Sequence, residues 1–430
     1  MFMTKGYVQR NIWQEVVPWA VLPLMIKLAG ATFASSQSRS MGDFLTQPGT
    51  SNVADVAYMA VLGCSLCIIM LVYARSMIHE FCQAYLVTFL LVFITLTAAW
   101  SQSPLHTLKQ AFWLWISVGF TYWLMVRFTP KQQMEMLMLT GTLSAVLCIL
   151  AVVFIPSAGL DALHEFSWQG VFYSKNHMGR IFLFLLTAGI HYNGKTPVER
   201  CFRLAYIFLT LFMIAMSQSK SAWLFTIGYL FFAFLLMISS KITKRDLYPI
   251  VIVSGMAVAV SAVAIVLNLD AVLSLFGRDS TLTGRTEIWK ILMLSALKRP
   301  LYGFGYDAFW AGHTSEGMNA FIAVYGKTGF MGSYAHSGYL ATLLEEGAIG
   351  LLLILALIVR GLKDSFICLR CNSGINNIHW YISILFLTII YNVDEVTFVL
   401  PYYLPWMMFV LAVNQLSVRS RLVRMDAAHA

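Results

Sequence analysis

The chain is dominated by apolar runs of about 20 residues, the length at which a helix crosses the hydrocarbon core of a bilayer. About twelve such runs follow one another, centred near Leu22, Leu62, Leu91, Val118, Leu147, Leu185, Leu209, Leu230, Val258, Leu352, Leu387 and Phe409. In hydrocarbon every backbone N–H and C=O must be satisfied within the protein, so only helices and closed barrels are admissible. The short-period alternation of barrel strands is absent. The expected fold is therefore an all-α polytopic membrane protein with about twelve transmembrane helices. Composition agrees: 59% of residues are hydrophobic and 11% charged, against about a quarter charged in an ordinary soluble domain. No internal repeat or low-complexity tract interrupts the pattern, and residues 1–430 read as a single integral membrane domain.

Lysine and arginine set the orientation, because basic loops stay on the cytoplasmic side. With the amino terminus inside, the inner segments hold Lys5, Arg10, Arg75, Arg127, Lys131, Lys195, Arg200, Arg203, Lys241, Lys244, Arg245, Arg360, Lys363, Arg370, Arg419, Arg421 and Arg424. An even number of spans brings the carboxyl terminus back to the cytoplasm. The formal charge of +9 is then a topology signal, and with no basic stripe interleaved with aromatics on a soluble face, nucleic acid is not an expected partner. The first run ends in Ala29-Gly30-Ala31, the form of a signal-peptidase site, but Lys27 interrupts it and the segment is expected to remain as a span. The cysteines fall in spans or at inner loops, so no disulfide framework is implied. Cys368-Leu-Arg-Cys371 lacks the second ligand pair that a zinc site needs.

The unusual residues gather in the outer segments. Residues 270–335 form a long extracytoplasmic loop between the ninth and tenth spans, and loops of that length are usually functional. Within it Thr283 to Pro300 reads as an amphipathic interfacial helix, with Glu287 suited to its first turn and Lys298 and Arg299 to its end. Arg285 opposes the helix dipole at a cost of about 0.3–1 kcal/mol, which fits either a snorkelling side chain or an anion site beside free backbone N–H groups. His336 stands at the mouth of the tenth span, as an interfacial residue or a functional one. Glu345 lies nine residues on, about two and a half turns away and on the opposite face, so neither it nor Glu346 forms a triad with His336. Intramembrane acids of this kind are expected to bond neighbouring helices or cap broken backbone.

Taken together, Tyr173-Ser-Lys-Asn-His-Met-Gly179, Ser217-Gln-Ser-Lys-Ser-Ala222, Gly284-Arg-Thr-Glu-Ile-Trp289, Arg299-Pro-Leu-Tyr-Gly-Phe-Gly-Tyr306 and His336-Ser-Gly-Tyr-Leu followed by Glu345-Glu-Gly resemble the O-antigen ligase and Wzy-type polymerase superfamily. The resemblance covers residues 171–353, and Gly303-Phe-Gly-Tyr-Asp-Ala-Phe-Trp310 is similar to the exopolysaccharide-polymerase branch. It implies a GT-C-like, metal-independent inverting glycosyltransferase of the bacterial inner membrane. The donor would be a glycan on undecaprenyl pyrophosphate; the acceptor would be another glycan or lipid A-core. Membrane lipids and other polysaccharide-assembly proteins are further implied partners, and no cofactor is implied. By position, His336 matches the family's catalytic histidine and Arg285 its loop arginine, while Lys220 stands where many members have arginine and so lacks the bidentate fork. Lys175, Asn176 and Arg180 join Lys220 as candidate donor-binding residues, and Tyr306, Trp289, Phe309 and Trp310 as candidate sugar-stacking rings.

A neutral imidazole can accept the proton of an attacking sugar hydroxyl, and cations in a partly dry cavity can stabilise a leaving pyrophosphate. Polymerase is the first reading of the sequence and ligase the second. A secondary transporter is the non-enzymatic alternative and predicts broken helices meeting at the midplane with an inverted repeat; a structural partner of an assembly machine would leave His336 replaceable.

Overall fold

A computed structural model describes residues 72–161, 166–239, 255, 284–311, 315–328, 335–370 and 377–429. The spans expected near Leu22, Leu62 and Val258 lie outside these residues. The described chain runs through α1 (Ala74–Gln83), α2 (Tyr85–Leu96), α3 (Pro104–Arg127), α4 (Pro130–Phe154), α5 (Lys175–His191), α6 (Pro197–Met216) and α7 (Lys220–Ser239). It continues with α8 (Gly284–Ala296), α9 (Ser315–Thr328), α10 (Gly338–Glu345), α11 (Gly347–Arg370), α12 (Ile378–Asp394) and α13 (Leu404–His429). The expected all-α class holds. The only strands among the described residues are Leu160–Asp161 and Ser167–Trp168, a two-residue antiparallel pair.

Local sequence starts several helices cleanly. In Thr129-Pro-Lys-Gln132 and Thr196-Pro-Val-Glu199 the threonine caps the helix, proline occupies its first turn and the third residue closes a capping box onto α4 and α6. Residues 130–154 and 220–238 are long and apolar enough to cross a membrane, and Tyr85–Ala99 and Ile378–Asp394 are shorter apolar helices. Helix α12 is apolar on all sides and buried along nearly its whole length, from Trp380 to Asn392, as expected of a helix enclosed by others. It packs against α5, α7, α10, α11 and α13.

One apparent span is broken. Helix α10 ends at Glu345, Glu346 caps it, and Gly347 turns left-handed with φ +70° before α11 begins. The backbone groups freed by the break are taken up by the segment after α8. Phe304 N–H donates to Leu344 O at 2.9 Å, Gly305 N–H to Glu345 O at 2.9 Å, and Ala348 N–H to Pro300 O at 2.8 Å. Glu345 Oε2 accepts from the Asp307 N–H at 3.0 Å, on the far side of α10 from its first residues. Glu345 thus serves loop backbone, whereas Glu346 Oε2 is buried without a hydrogen-bond partner among the described residues. Glycines are required at the contact: a Cβ on Gly303 would lie 2.4 Å from Glu345 O, and one on Gly347 2.3 Å from Leu301 O, while one on Gly305 would meet Ser101 at 2.5 Å.

The interfacial helix forms over Gly284–Ala296, ending four residues short of Pro300. Ile288, Leu292 and Ala296 are buried at helical spacing, and α8 packs on α9 and α10. Ser295 Oγ and Lys298 Nζ both donate to Glu316 of α9, and these bonds outweigh the opposing desolvation and hold the Glu316 carboxyl below its ordinary value.

Gly347→Ala should lower stability by about 2 kcal/mol, since the left-handed turn costs roughly 1–2 kcal/mol for a residue with a Cβ and the new methyl displaces Leu301 O. Gly326→Ala, whose Cβ meets nothing within 4 Å, should leave it unchanged or slightly raised. Thermal midpoints of the purified proteins in detergent check the pair.

Candidate functional site

One end of the bundle collects the starts of α3, α5, α7, α10 and α13 and the end of α12. Two of the motifs meet there at Gly179. A Cβ on Gly179 would stand 2.7 Å from Ala222 Cβ and 2.8 Å from Ser217 Oγ, so only glycine lets α5 close on the turn between α6 and α7. Ser174 caps α5 by accepting the His177 N–H at 3.2 Å. Lys175 and Asn176 open that helix, half-buried, while Lys220 opens α7 and is exposed.

His336 lies on the loop entering α10 in a left-handed conformation, φ +47°. Histidine tolerates that region better than most residues, yet an outlier of this kind usually marks a functional constraint. The backbone around it is pinned on both sides. The Trp289 indole N–H donates to Ala335 O at 2.8 Å, and Ser337, the cap of α10, donates its hydroxyl to Asn392 O at 3.4 Å. Gly338 presses so closely on the Asn392 amide that a Cβ has no room there. Asn392 in turn accepts from Thr397 N–H at 2.8 Å and Phe398 N–H at 3.1 Å through Oδ1, and donates to Thr388 O at 2.7 Å.

From this frame His336 Nδ1 faces Glu395 Oε1 at 3.5 Å. The other carboxylate oxygen, Oε2, lies 3.4 Å from Arg180 Nη1. Arg180 also donates to Val396 O at 3.1 Å and lies over the rings of Tyr391 and Tyr403 at 5.8 and 5.3 Å. The three side chains are 15%, 13% and 11% exposed, shielded enough for charge to act more strongly than on an open surface.

The structure therefore brings His336 and Arg180 together through Glu395 and sets the Lys220 turn against α5. Arg285 is the second residue of α8, one turn before Trp289; its side chain lies outside the described residues. Trp289 anchors the His336 loop through its indole nitrogen. Tyr306 is buried, donates its hydroxyl to Val399 O at 2.6 Å, and is committed to packing between α3 and the loop before α13. Phe309 is likewise buried, and Trp310 is half-buried. Asp307, also left-handed at φ +52°, faces His106 Nε2 at 2.9 Å and accepts from Gln110 at 2.5 Å.

Sequence reasoning missed Glu395 and Asn392. Both stand where the apolar run of α12 breaks off in Asn392-Val-Asp-Glu395. Polar and acidic residues at the end of a buried span are themselves a functional signal.

The described residues form an almost wholly helical protein, and comparison with known proteins relates the chain to proteins of surface-polysaccharide production. Residues 205–355 match the family model described as O-antigen ligase, so the similarity read from the motifs is shown directly. The chain is also 23% identical, over 318 residues, to the exopolysaccharide production protein ExoQ of Rhizobium meliloti (strain 1021), across 72% of this chain and 71% of that protein. Both similarities support a polysaccharide polymerase- or ligase-type function.

Arg180→Gln should destabilise the folded protein by about 3 kcal/mol, because it leaves the Glu395 carboxylate without its guanidinium partner in a shielded site. Arg180→Lys, which keeps the charge but not the fork, should cost less. Thermal unfolding in detergent measures both.

Proposed function

We propose that the protein is an inverting glycosyltransferase that moves a glycan from undecaprenyl pyrophosphate to an acceptor hydroxyl at the outer face of the bacterial inner membrane. The observation that carries this reading is the shielded, left-handed His336 at the meeting point of the motifs shared with O-antigen ligases. In the transfer step the acceptor hydroxyl gives its proton to His336 as its oxygen attacks the anomeric carbon. The bond from that carbon to the phosphate oxygen breaks on the opposite side, and the electron pair leaves with the lipid pyrophosphate. Attack from the far side inverts the anomeric centre. Arg285 and Lys220 stabilise the charge that grows on the leaving group, with Lys175 and Asn176 on the same side of the bundle as Lys220. No metal is needed for this division of labour.

Polymerase is favoured over ligase because the curated relative is an exopolysaccharide production protein. The transporter reading is less well supported. The helix break at Glu346 is filled by residues 300–305, whereas a transporter places broken helices around a cavity.

His336→Ala should preserve membrane abundance and lower transfer from a synthetic lipid-pyrophosphate donor by roughly a hundred- to ten-thousand-fold, the usual contribution of a general base. His336→Gln should be nearly as poor, and the wild-type rate should persist in EDTA. Wild-type transfer by a quantified His336→Ala protein would overturn the base assignment. Arg285→Lys should keep the protein folded while transfer falls substantially, since the planar fork is lost; an Arg285 that only snorkels would accept lysine without loss. Deletion of the gene separates the two acceptors: loss of secreted polymer with single repeats left on lipid supports the polymerase, and loss of lipopolysaccharide ladders with long lipid-linked chains supports the ligase.

The orientation is open to cysteine labelling. An impermeant thiol reagent should modify Ser315→Cys in intact cells and spare Thr243→Cys. Equal labelling at both positions would remove the outward-facing site.

A further inference from the structure

We propose that Glu395 is a positioning residue of the transfer step, holding the His336 imidazole by its Nδ1 side so that Nε2 is the nitrogen offered to the acceptor hydroxyl. The inference rests on the general-base reading of His336 and adds to it the group that fixes the base.

Geometry carries it. The two oxygens of Glu395 diverge, Oε2 toward Arg180 at 3.4 Å and Oε1 toward His336 Nδ1 at 3.5 Å. A neutral imidazole has one N–H and one lone pair. A carboxylate facing Nδ1 favours the proton on that nitrogen and leaves the lone pair on Nε2. The segments around both residues are held by the same residue, Asn392. Asn392 accepts from Thr397 and Phe398 immediately after Glu395, and its backbone carbonyl receives the hydroxyl of Ser337, the residue after His336. The Glu395 N–H donates to Tyr391 O at 2.9 Å, closing the end of α12. Arg180, fixed on Val396 O, keeps the carboxylate aimed. The positive φ of His336 is thus maintained by contacts that converge on one orientation of its ring.

During transfer the acceptor proton moves to Nε2, and Glu395 stabilises the imidazolium that results without itself taking the proton. A carboxylate that merely braced α12 would have no part in that charge change.

The experiment uses the full-length protein in detergent or nanodiscs, with a synthetic lipid-pyrophosphate donor, and compares Glu395→Gln, Glu395→Asp, His336→Ala and the double variant His336→Ala/Glu395→Gln. Glu395→Gln should lower kcat by about tenfold or more, the range seen when the partner of a reacting histidine is changed, with donor KM within twofold of wild type. Glu395→Asp, which keeps the charge, should recover part of the loss. The double variant should transfer at the rate of His336→Ala alone, because the two residues act as a unit. An unchanged kcat for Glu395→Gln, a further multiplied loss in the double variant, or failure of Glu395→Gln to fold would each overturn the proposal. If His336→Ala is inactive while Glu395→Gln is fully active, only the positioning role falls. If His336→Ala keeps wild-type transfer, the base reading falls and takes this inference with it.

Discussion

The site depends on a set of backbone hydrogen bonds across a broken helix. A chain in hydrocarbon cannot leave amide groups unsatisfied, each costing several kcal/mol, so an interruption between α10 and α11 is tolerable only if another segment supplies partners. Residues 300–305 supply them. The consequence is positional. Helix α10 is cut to eight residues and joined laterally to the end of the α8 segment, and its first residues meet α12 at Asn392.

The electrostatic arrangement follows the same logic at smaller scale. Arg180, Glu395 and His336 come from three separate parts of the chain, and each would be costly in a shielded position alone. As a chain of partners, with Val396 O and two tyrosine rings taking the remaining surface of the guanidinium, they hold one another. Lys220 differs in kind. It is exposed at the start of α7.

Much of this was legible in the sequence, and the parts that were not share a cause. The helical class followed from apolar runs and backbone satisfaction alone. Glu345 was expected to bond a neighbouring helix or cap broken backbone, and it accepts from the Asp307 N–H. His336 could be singled out by its place in the motif order. Glu395 could not, because its significance depends on a contact made across α10 and α12, and no spacing rule relates residues 59 apart. Tyr306, a candidate sugar-stacking ring in the sequence, is buried and donates its hydroxyl to Val399 O. Arg180 was expected to face the donor's phosphates, and its bond to Val396 and its ion pair with Glu395 give it a structural duty as well.

The separation of these residues along the chain has a bearing on biosynthesis. Arg180 emerges from the ribosome early, His336 late, and Glu395 with the last pair of helices, after residues 205–355 that match the family model. A chain made only as far as α11 holds the recognisable motifs but not the carboxylate that joins His336 to Arg180, nor Asn392, which receives the Ser337 hydroxyl. The centre is completed only when α12 slides into its enclosed position among α5, α7, α10, α11 and α13. The constellation of His336, Glu395 and Arg180 is therefore one that no fragment ending before α12 can contain.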